Sequence, residues 1–402
     1  MLLKIEVANF QAIRDRQTVD LRVPTTTPDD PKRFMPVRAE AVARVPKVAA
    51  FFGPNASGKT TFLKAITFAF EFALQSFHRN EPGSGIPVEP FASAPWRHQP
   101  TEIVVEFAPG PFINEAEPIY RYELIIDRDA ETSYISWEAL RRSGGGAKFR
   151  TLFERTGDKE TSTVKPFEDL GLPRGDPRLS VRSNVSVISN LLQFDHDRSK
   201  QIFMDFRAFF GNANLGRLDQ YTSSMTKYYE AKVGSVNNVD SLNKFIRNID
   251  IGVERVYLET KNGIQVPMFV HKGLDIHQRY ENESQGTRNF YCLFPMINLA
   301  LMGGGTAVID EIDSDIHPML MPEIIRWFRS SRTNPYNAQL IMTCHTATLL
   351  EDLVKEEVWF ADKDETGSTH LYGAKEIENV QRRTNIYAKY LGGAFGALPQ
   401  VG

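Results

Sequence analysis

The chain opens with "LLKIEVANF", in which apolar and polar residues alternate as in a strand that buries one face. Residues 24–40, "PTTTPDDPKRFMPVRAE", hold four prolines and no period, and are read as a loop. The pattern then changes to an apolar run, a glycine-rich turn and a long stretch of helical period, "KVAAFFGPNASGKTTFLKAITFAFEFALQSF". Alternation returns in "TEIVVEF" (101–107), "IYRYELIID" (119–127) and "SYISWEALRR", and "SGGGAKFR" turns into a fourth such segment. Together these predict an antiparallel hairpin or meander. Residues 155–250 are more polar, with helical period in "SVISNLLQF" and "SKQIFMDFRAFFGNA", and are read as a helical insertion. No heptad pattern persists there, which argues against a long coiled-coil arm. "VERVYLE" and "QVPMFVHK" are strands again. After residue 284 a helix is followed by the strand "TAVIDE", the helix "MLMPEIIRWFRSS", the strand "AQLIMTCH", the helix "ATLLEDL" and the strand "EVWFAD". That alternation is half of an α/β sheet. The expected division is an N-terminal lobe over 1–154 with the antiparallel β subdomain, the insertion over 155–250, and a C-terminal lobe over 251–402.

At 402 residues, 42% hydrophobic and 24% charged, the chain is ordinary globular material, long enough for one large or two modest domains. A net charge of −3 excludes the overall basic footprint of a nucleic-acid coat and leaves only local basic patches open. Two cysteines, Cys292 and Cys344, both in apolar surroundings, make neither a disulfide framework nor a Cys-x-x-Cys metal site. They are read as small core residues in a reducing cytoplasm. The start lacks a secretory pattern, and the longest apolar run, Phe290 to Met302, contains Pro295 and is shorter than the roughly 20 residues of a membrane span. The expectation is a soluble cytoplasmic protein with no membrane partner.

The chemistry begins at residue 53. "GPNASGKT" matches G-x-x-x-x-G-K-[ST] at every fixed position, between an apolar strand and a helix. The phosphate cradle is therefore Gly53, Pro54, Asn55, Ala56, Ser57, Gly58, Lys59, Thr60 and Thr61. Gly53 and Gly58 let backbone N–H groups and the helix N-terminus face an anion. Lys59 would reach the β- and γ-phosphates of ATP, and Thr60 would ligate Mg²⁺. "TAVIDE" supplies the acidic half: Asp310 to hold the Mg²⁺, Glu311 to polarise the attacking water as general base. "LIMTCHT" is a further apolar strand with His345 at its end, placed to contact the γ-phosphate. The catalytic set is then Lys59, Glu311 and His345.

One more stretch belongs with these. By itself "ESQGT", with Ser284 and Gly286, is a capped helix start. In its place, 27 residues before Glu311 by Ser284, with His345 a further 34 on, it resembles the Ser-x-Gly signature of the ABC-type ATPase superfamily, including the SMC, Rad50 and OLD-like branches. The resemblance covers "IEVANFQAIRDRQTVDL", the P-loop, the strands at 101–127 and the chain after 284. It implies an ABC-type P-loop ATPase head with a mixed sheet, whose Ser284 and Gly286 bind the γ-phosphate held by the opposite subunit. Two protomers would then close around two ATP molecules. "DEIDSDIHPML" is similar to a run common in OLD-like and abortive-infection ATPases, with Asp313 to Asp315 as the loop crossing the dimer interface and His317 and Pro318 either part of that run or a helix start. The tail "NIYAKYLGGAFGALPQV" resembles that of the ATPase component of AbiL-like bacterial defence pairs. The long coiled coils and Cys-x-x-Cys hook of the Rad50- and SMC-like branches, and the nuclease domain of the OLD-like branch, are not expected in this sequence. A glutamine after the first helix is open between Gln75, Gln99 and Gln193, with Gln99 preferred.

Two functions follow as expectations. One is the ATPase of an anti-phage defence pair that controls a separate effector, a nuclease or toxin. The other is a DNA-binding ATPase of repair or chromosome handling, with Arg141, Arg142, Lys148, Arg150, Arg382 and Arg383 against phosphates. A transporter subunit fits poorly, because 225 residues separate Lys59 from Ser284.

Overall fold

A computed structural model of the chain describes residues 1–38, 42–110, 118–144, 148–214, 222–233, 236–247, 252–314 and 320–398. In chain order, β1 (Leu2–Ala8) and β2 (Gln17–Asp20) are followed by a short hairpin of β3 (Phe34–Pro36) and β4 (Arg44–Pro46). Next come β5 (Val48–Phe52) and the long helix α1 (Lys59–Arg79). Five strands, β6 (Thr101–Phe107), β7 (Ile119–Arg128), β8 (Ser133–Ser143), β9 (Phe149–Gly157) and β10 (Ser162–Pro166), then join β1 and β2 in an antiparallel sheet ordered β10-β9-β8-β7-β6-β1-β2. The alternation read from sequence is the pleat of this sheet: in β7 every second residue from Tyr120 to Ile126 is buried.

The second sheet is the core of the molecule. Beyond α2 (Val187–Leu191) and α3 (Asp197–Phe206), β11 (Phe209–Gly211) forms its edge. After α4 (Thr222–Glu230), the hairpin β12 (Lys232–Val233) and β13 (Val236–Asn237), and α5 (Asn238–Ile246), a three-stranded sheet follows. It comprises β14 (Val253–Lys261), β15 (Ile264–His271) and β16 (Gln278–Arg279). Then α6 (Gln285–Gly303), β17 (Thr306–Ile309), α7 (Met321–Arg329), β18 (Gln339–Thr343), β19 (Val358–Lys363), β20 (Thr369–Gly373) and α8 (Ile386–Leu391) complete the chain. The core sheet runs β11-β17-β18-β5-β19-β20, parallel except for β20, which is antiparallel to β19. The mixed sheet and the antiparallel subdomain are those expected from the sequence.

Strand β5 shows why the core strands read as unbroken apolar runs. All five of its residues are buried, Ala49 and Phe51 toward α1 residues such as Phe62 and Ile66, Val48, Ala50 and Phe52 toward α6 and α7. A parallel strand covered on both faces has no polar side to alternate.

The stretch 155–250 is less helical than its period suggested. The helix read through "SKQIFMDFRAFFGNA" ends at Phe206, and Phe209, Phe210 and Gly211 pair in parallel with Thr306, Ala307 and Val308. Phe209 stacks on Phe70 of α1 with ring centroids 3.6 Å apart, so packing and a sheet edge override a local helical period. β10 also falls in this stretch, so the segment is sewn into both sheets. "ATLLEDL" forms a 3-10 turn over Ala347–Glu351. Both cysteines are buried and unbridged. Among the described residues no helix is long and apolar enough to cross a membrane.

Candidate functional site

The glycine-rich loop leaves β5 and enters α1 under tight constraint. Gly53 has φ 152°, and a Cβ there would lie 2.2 Å from the Ala361 carbonyl oxygen. Gly58 has φ 99°, and its Cβ would meet Thr369 Oγ1 at 2.0 Å. Both the backbone conformation and the close approach demand glycine. Thr369 of β20 fastens the loop, its hydroxyl donating to the Ser57 carbonyl at 2.9 Å.

Lys59 is 5% exposed, and its Nζ donates to the carbonyls of Gly53 (2.8 Å) and Pro54 (2.9 Å). Burial pushes its pKa down, while the carboxylates of Asp310, Glu311 and Asp313 act in the other direction. The Ser57 hydroxyl is buried without a hydrogen-bond partner, and no side chain caps the N-terminus of α1. A cradle closed to any Cβ, an orphaned hydroxyl, a buried cation and an uncapped helix start together fit a polyphosphate.

A cleft of about 260 Å³ is lined by Ala12, by Asn55, Ala56, Ser57, Gly58, Lys59, Thr60 and Thr61, and by Glu311 and His345. Three motifs far apart in sequence thus meet at the C-terminal ends of β5, β17 and β18, where open α/β sheets bind ligands. Ser284 and Gly286 do not line it. Ser284 is the N-cap of α6: its Oγ accepts the Thr287 N–H at 3.2 Å and lies 2.9 Å from Thr287 Oγ1. The start of α6 adjoins the turn after Glu311, with Asn289 Nδ2 donating to the Ser314 carbonyl at 3.3 Å.

Two residues that sequence reasoning did not single out organise the acidic end. Thr343, at the end of β18, donates its hydroxyl to Asp310 Oδ1 at 2.6 Å and accepts the Glu311 N–H at 2.7 Å. Asn212, just past β11, clamps Asp310 by its backbone, accepting from its N–H at 2.6 Å and donating to its carbonyl at 3.0 Å. Glu311 itself sits in the left-handed region, φ 47°, which costs a non-glycine residue energy, and it lines the cleft. Thr343 was visible as the polar end of "LIMT". Asn212 gave no signal, because its strand carried a helical period.

Asp313 faces inward. Its Oδ2 accepts from the N–H of His345 (2.9 Å) and from the N–H and hydroxyl of Thr346 (both 2.7 Å). Burial alone would raise its carboxyl, but these hydrogen bonds hold it below the usual range. Asp313, the first residue of the loop expected to cross a dimer interface, thus steadies the His345 turn of its own chain, while Asp315, His317 and Pro318 lie outside the described residues. Neither Gln75, Gln99 nor Gln193 lines the cleft, and all three are exposed. Of the basic residues singled out, Arg141 pairs with Glu123 (2.5 Å) and Glu154 (3.3 Å), and Arg382 pairs with Asp30 (3.5 Å).

A family model described as "AAA domain, putative AbiEii toxin, Type IV TA system" matches residues 48–351. Among solved structures, the SMC head bound to the C-winged helix domain of ScpA is similar at 12% identity, covering 92% of this chain and 97% of that one, with a TM-score of 0.46. The SMC head domain from Thermotoga maritima is similar at 13% identity, covering 92% and 98%, with a TM-score of 0.39. No curated protein matches the chain.

Proposed function

Because the chain belongs to this AAA-domain family of AbiEii-type description, an ATPase family, we propose that it binds Mg·ATP, closes as a homodimer around it, and hydrolyses it to control a separate effector in bacterial anti-phage defence. The observation that carries the reading is the division of the site. The P-loop, Glu311 and His345 share one cleft, while Ser284 and Gly286 stand outside it at a helix N-terminus. A second copy would bring those groups to the open side of the first copy's cleft, so that neither protomer is complete alone.

In this reading the N–H groups of residues 55–61 and the Lys59 ammonium bind the β- and γ-phosphates, and Thr60 and Asp310 would hold Mg²⁺, which would supply neutralising charge. Glu311 accepts the proton of the attacking water. Thr343 keeps Asp310 and Glu311 in register, and Asp313 keeps His345 at the mouth of the cleft. The effector assignment is supported by the toxin–antitoxin context of the family description. The DNA-handling reading loses weight because Arg141 and Arg382 already spend their charge on carboxylates.

The test is the native mass of Glu311→Gln in Mg·ATP. A dimer carrying two nucleotides is expected, with ATP hydrolysis reduced by at least about a hundredfold. Hydrolysis at the normal rate would remove Glu311 as the base. A nucleotide-bound monomer would overturn the shared site.

A further inference from the structure

A cleft among the described residues lies away from the glycine-rich loop. It has a volume of about 820 Å³ and is enclosed by α5, the C-terminal half of α6, α7 and the turn that follows α7. Four cations line it: Lys244, Arg247, Arg326 and Arg332, all exposed. Glu323 is the one carboxylate among the described lining residues, and it is committed locally, ion-paired to Arg326 and accepting from Trp327 Nε1 at 3.1 Å. In a chain of net charge −3 this is a concentrated positive recess. Phe245, Met302 and Pro335 add accessible apolar surface to its lining.

We propose that this cleft binds an acidic peptide segment of a protein partner, its carboxylates on Arg247 and Arg332 and its apolar side chains on Phe245, Met302 and Pro335. Charge complementarity selects an anion. The apolar lining separates the two macromolecular anions, because a phosphodiester backbone has nothing to lay on Met302 and Pro335, whereas an acidic peptide with interspersed apolar residues does. Binders of single-stranded nucleic acid instead present open aromatic faces for base stacking. Here Trp327 is 2% exposed, its ring packed edge-on against Phe245 at 4.4 Å, so it offers no platform.

The position of the cleft gives the occupant a consequence. α6 begins at Ser284, and α7 follows the loop from Glu311, so a segment lodged between them touches the helices that carry both halves of the shared nucleotide site. The proposal deepens the effector reading by naming the chemistry of the partner. Its test reads binding rather than turnover, so the two fail separately.

The probe is a short fluorescein-labelled peptide of alternating Glu and Leu, followed by anisotropy with the full chain at low and high salt. A labelled DNA duplex serves as the rival ligand. Saturable peptide binding is expected, weakened by salt, and weakened by at least about tenfold in the double variant R247E/R332E. The neutral double variant R247Q/R332Q should fall between. Both positions are exposed and remote from the P-loop, so the variants should keep their ATP-dependent rise in melting temperature, which shows that they are folded. Peptide binding that is absent in the natural protein, or equal in all three proteins, would overturn the assignment. So would a DNA duplex that binds in place of the peptide and is lost in R247E/R332E.

Discussion

One hydroxyl, that of Thr343, donates to Asp310 and accepts from the backbone of Glu311, so it ties together the residues assigned to metal and base. Thr343→Val keeps the volume and removes both hydrogen bonds, leaving the part-buried Glu311 N–H unpaired at a cost of about 1 kcal/mol. Urea unfolding should show a loss of that size, while ATP hydrolysis falls at least about tenfold with nucleotide affinity little changed. Asp205 makes a second prediction at this scale. It is buried on α3, and burial pushes its carboxyl up to about 6, against the hydrogen bond from Tyr120 at 2.6 Å and the charges of Arg142 and Arg198. The unfolded chain titrates this group near about 3.9. The native state therefore holds the proton more tightly, and that stabilisation, complete below about pH 4, is lost as the pH rises through about 6. Asp205→Asn removes this dependence. Relative to the natural protein, the variant should gain about 2–3 kcal/mol of stability between pH 4 and pH 7 in urea melts.

Elements carry these residues to their places. α6 is apolar over most of its length, with every residue from Phe290 to Asn298 buried, and its N-terminal turn is exposed at Ser284 and Gln285. Ser284→Arg should leave one nucleotide bound per monomer, as seen by equilibrium titration, and abolish both the ATP-dependent dimer and turnover. Loss of nucleotide binding in the monomer would show instead that this turn supports its own chain's cleft. The cap hydrogen bond to Thr287 accounts for only about 1 kcal/mol of any stability change. β11 is a second such element. It consists of three residues, yet it sets Asn212 against Asp310 and so links the middle of the chain to the acidic end of β17.

For the whole molecule, the core sheet separates two hydrophobic cores and presents its C-terminal edge to the cleft of the glycine-rich loop. A ligand held there stabilises the fold by mass action. Mg·ATP should raise the melting temperature of the natural protein in a concentration-dependent way, and Lys59→Ala should abolish the shift without lowering the melting temperature in its absence by more than a few degrees. The buried Lys59 ammonium is itself a desolvated charge, which is why its removal costs the ligand-free fold little.

The sequence by itself determined the glycine-rich turn between β5 and α1, the strands that end at Asp310 and before His345, and the strands of the antiparallel sheet. Each of these is a local pattern: a turn that admits only glycine, a strand buried on one face or on two, a polar residue at the end of an apolar run. Tertiary structure alone decided that Phe209–Gly211 is a strand, that Asn212 and Thr343 clamp Asp310 and Glu311, and that Asp313 turns inward to the His345 turn. It also decided that four cations from α5, α7 and the following turn surround one recess. Those outcomes depend on contacts between residues far apart in the chain, where a hydrogen bond or a stacked ring outweighs a local period worth only tenths of a kcal/mol per residue.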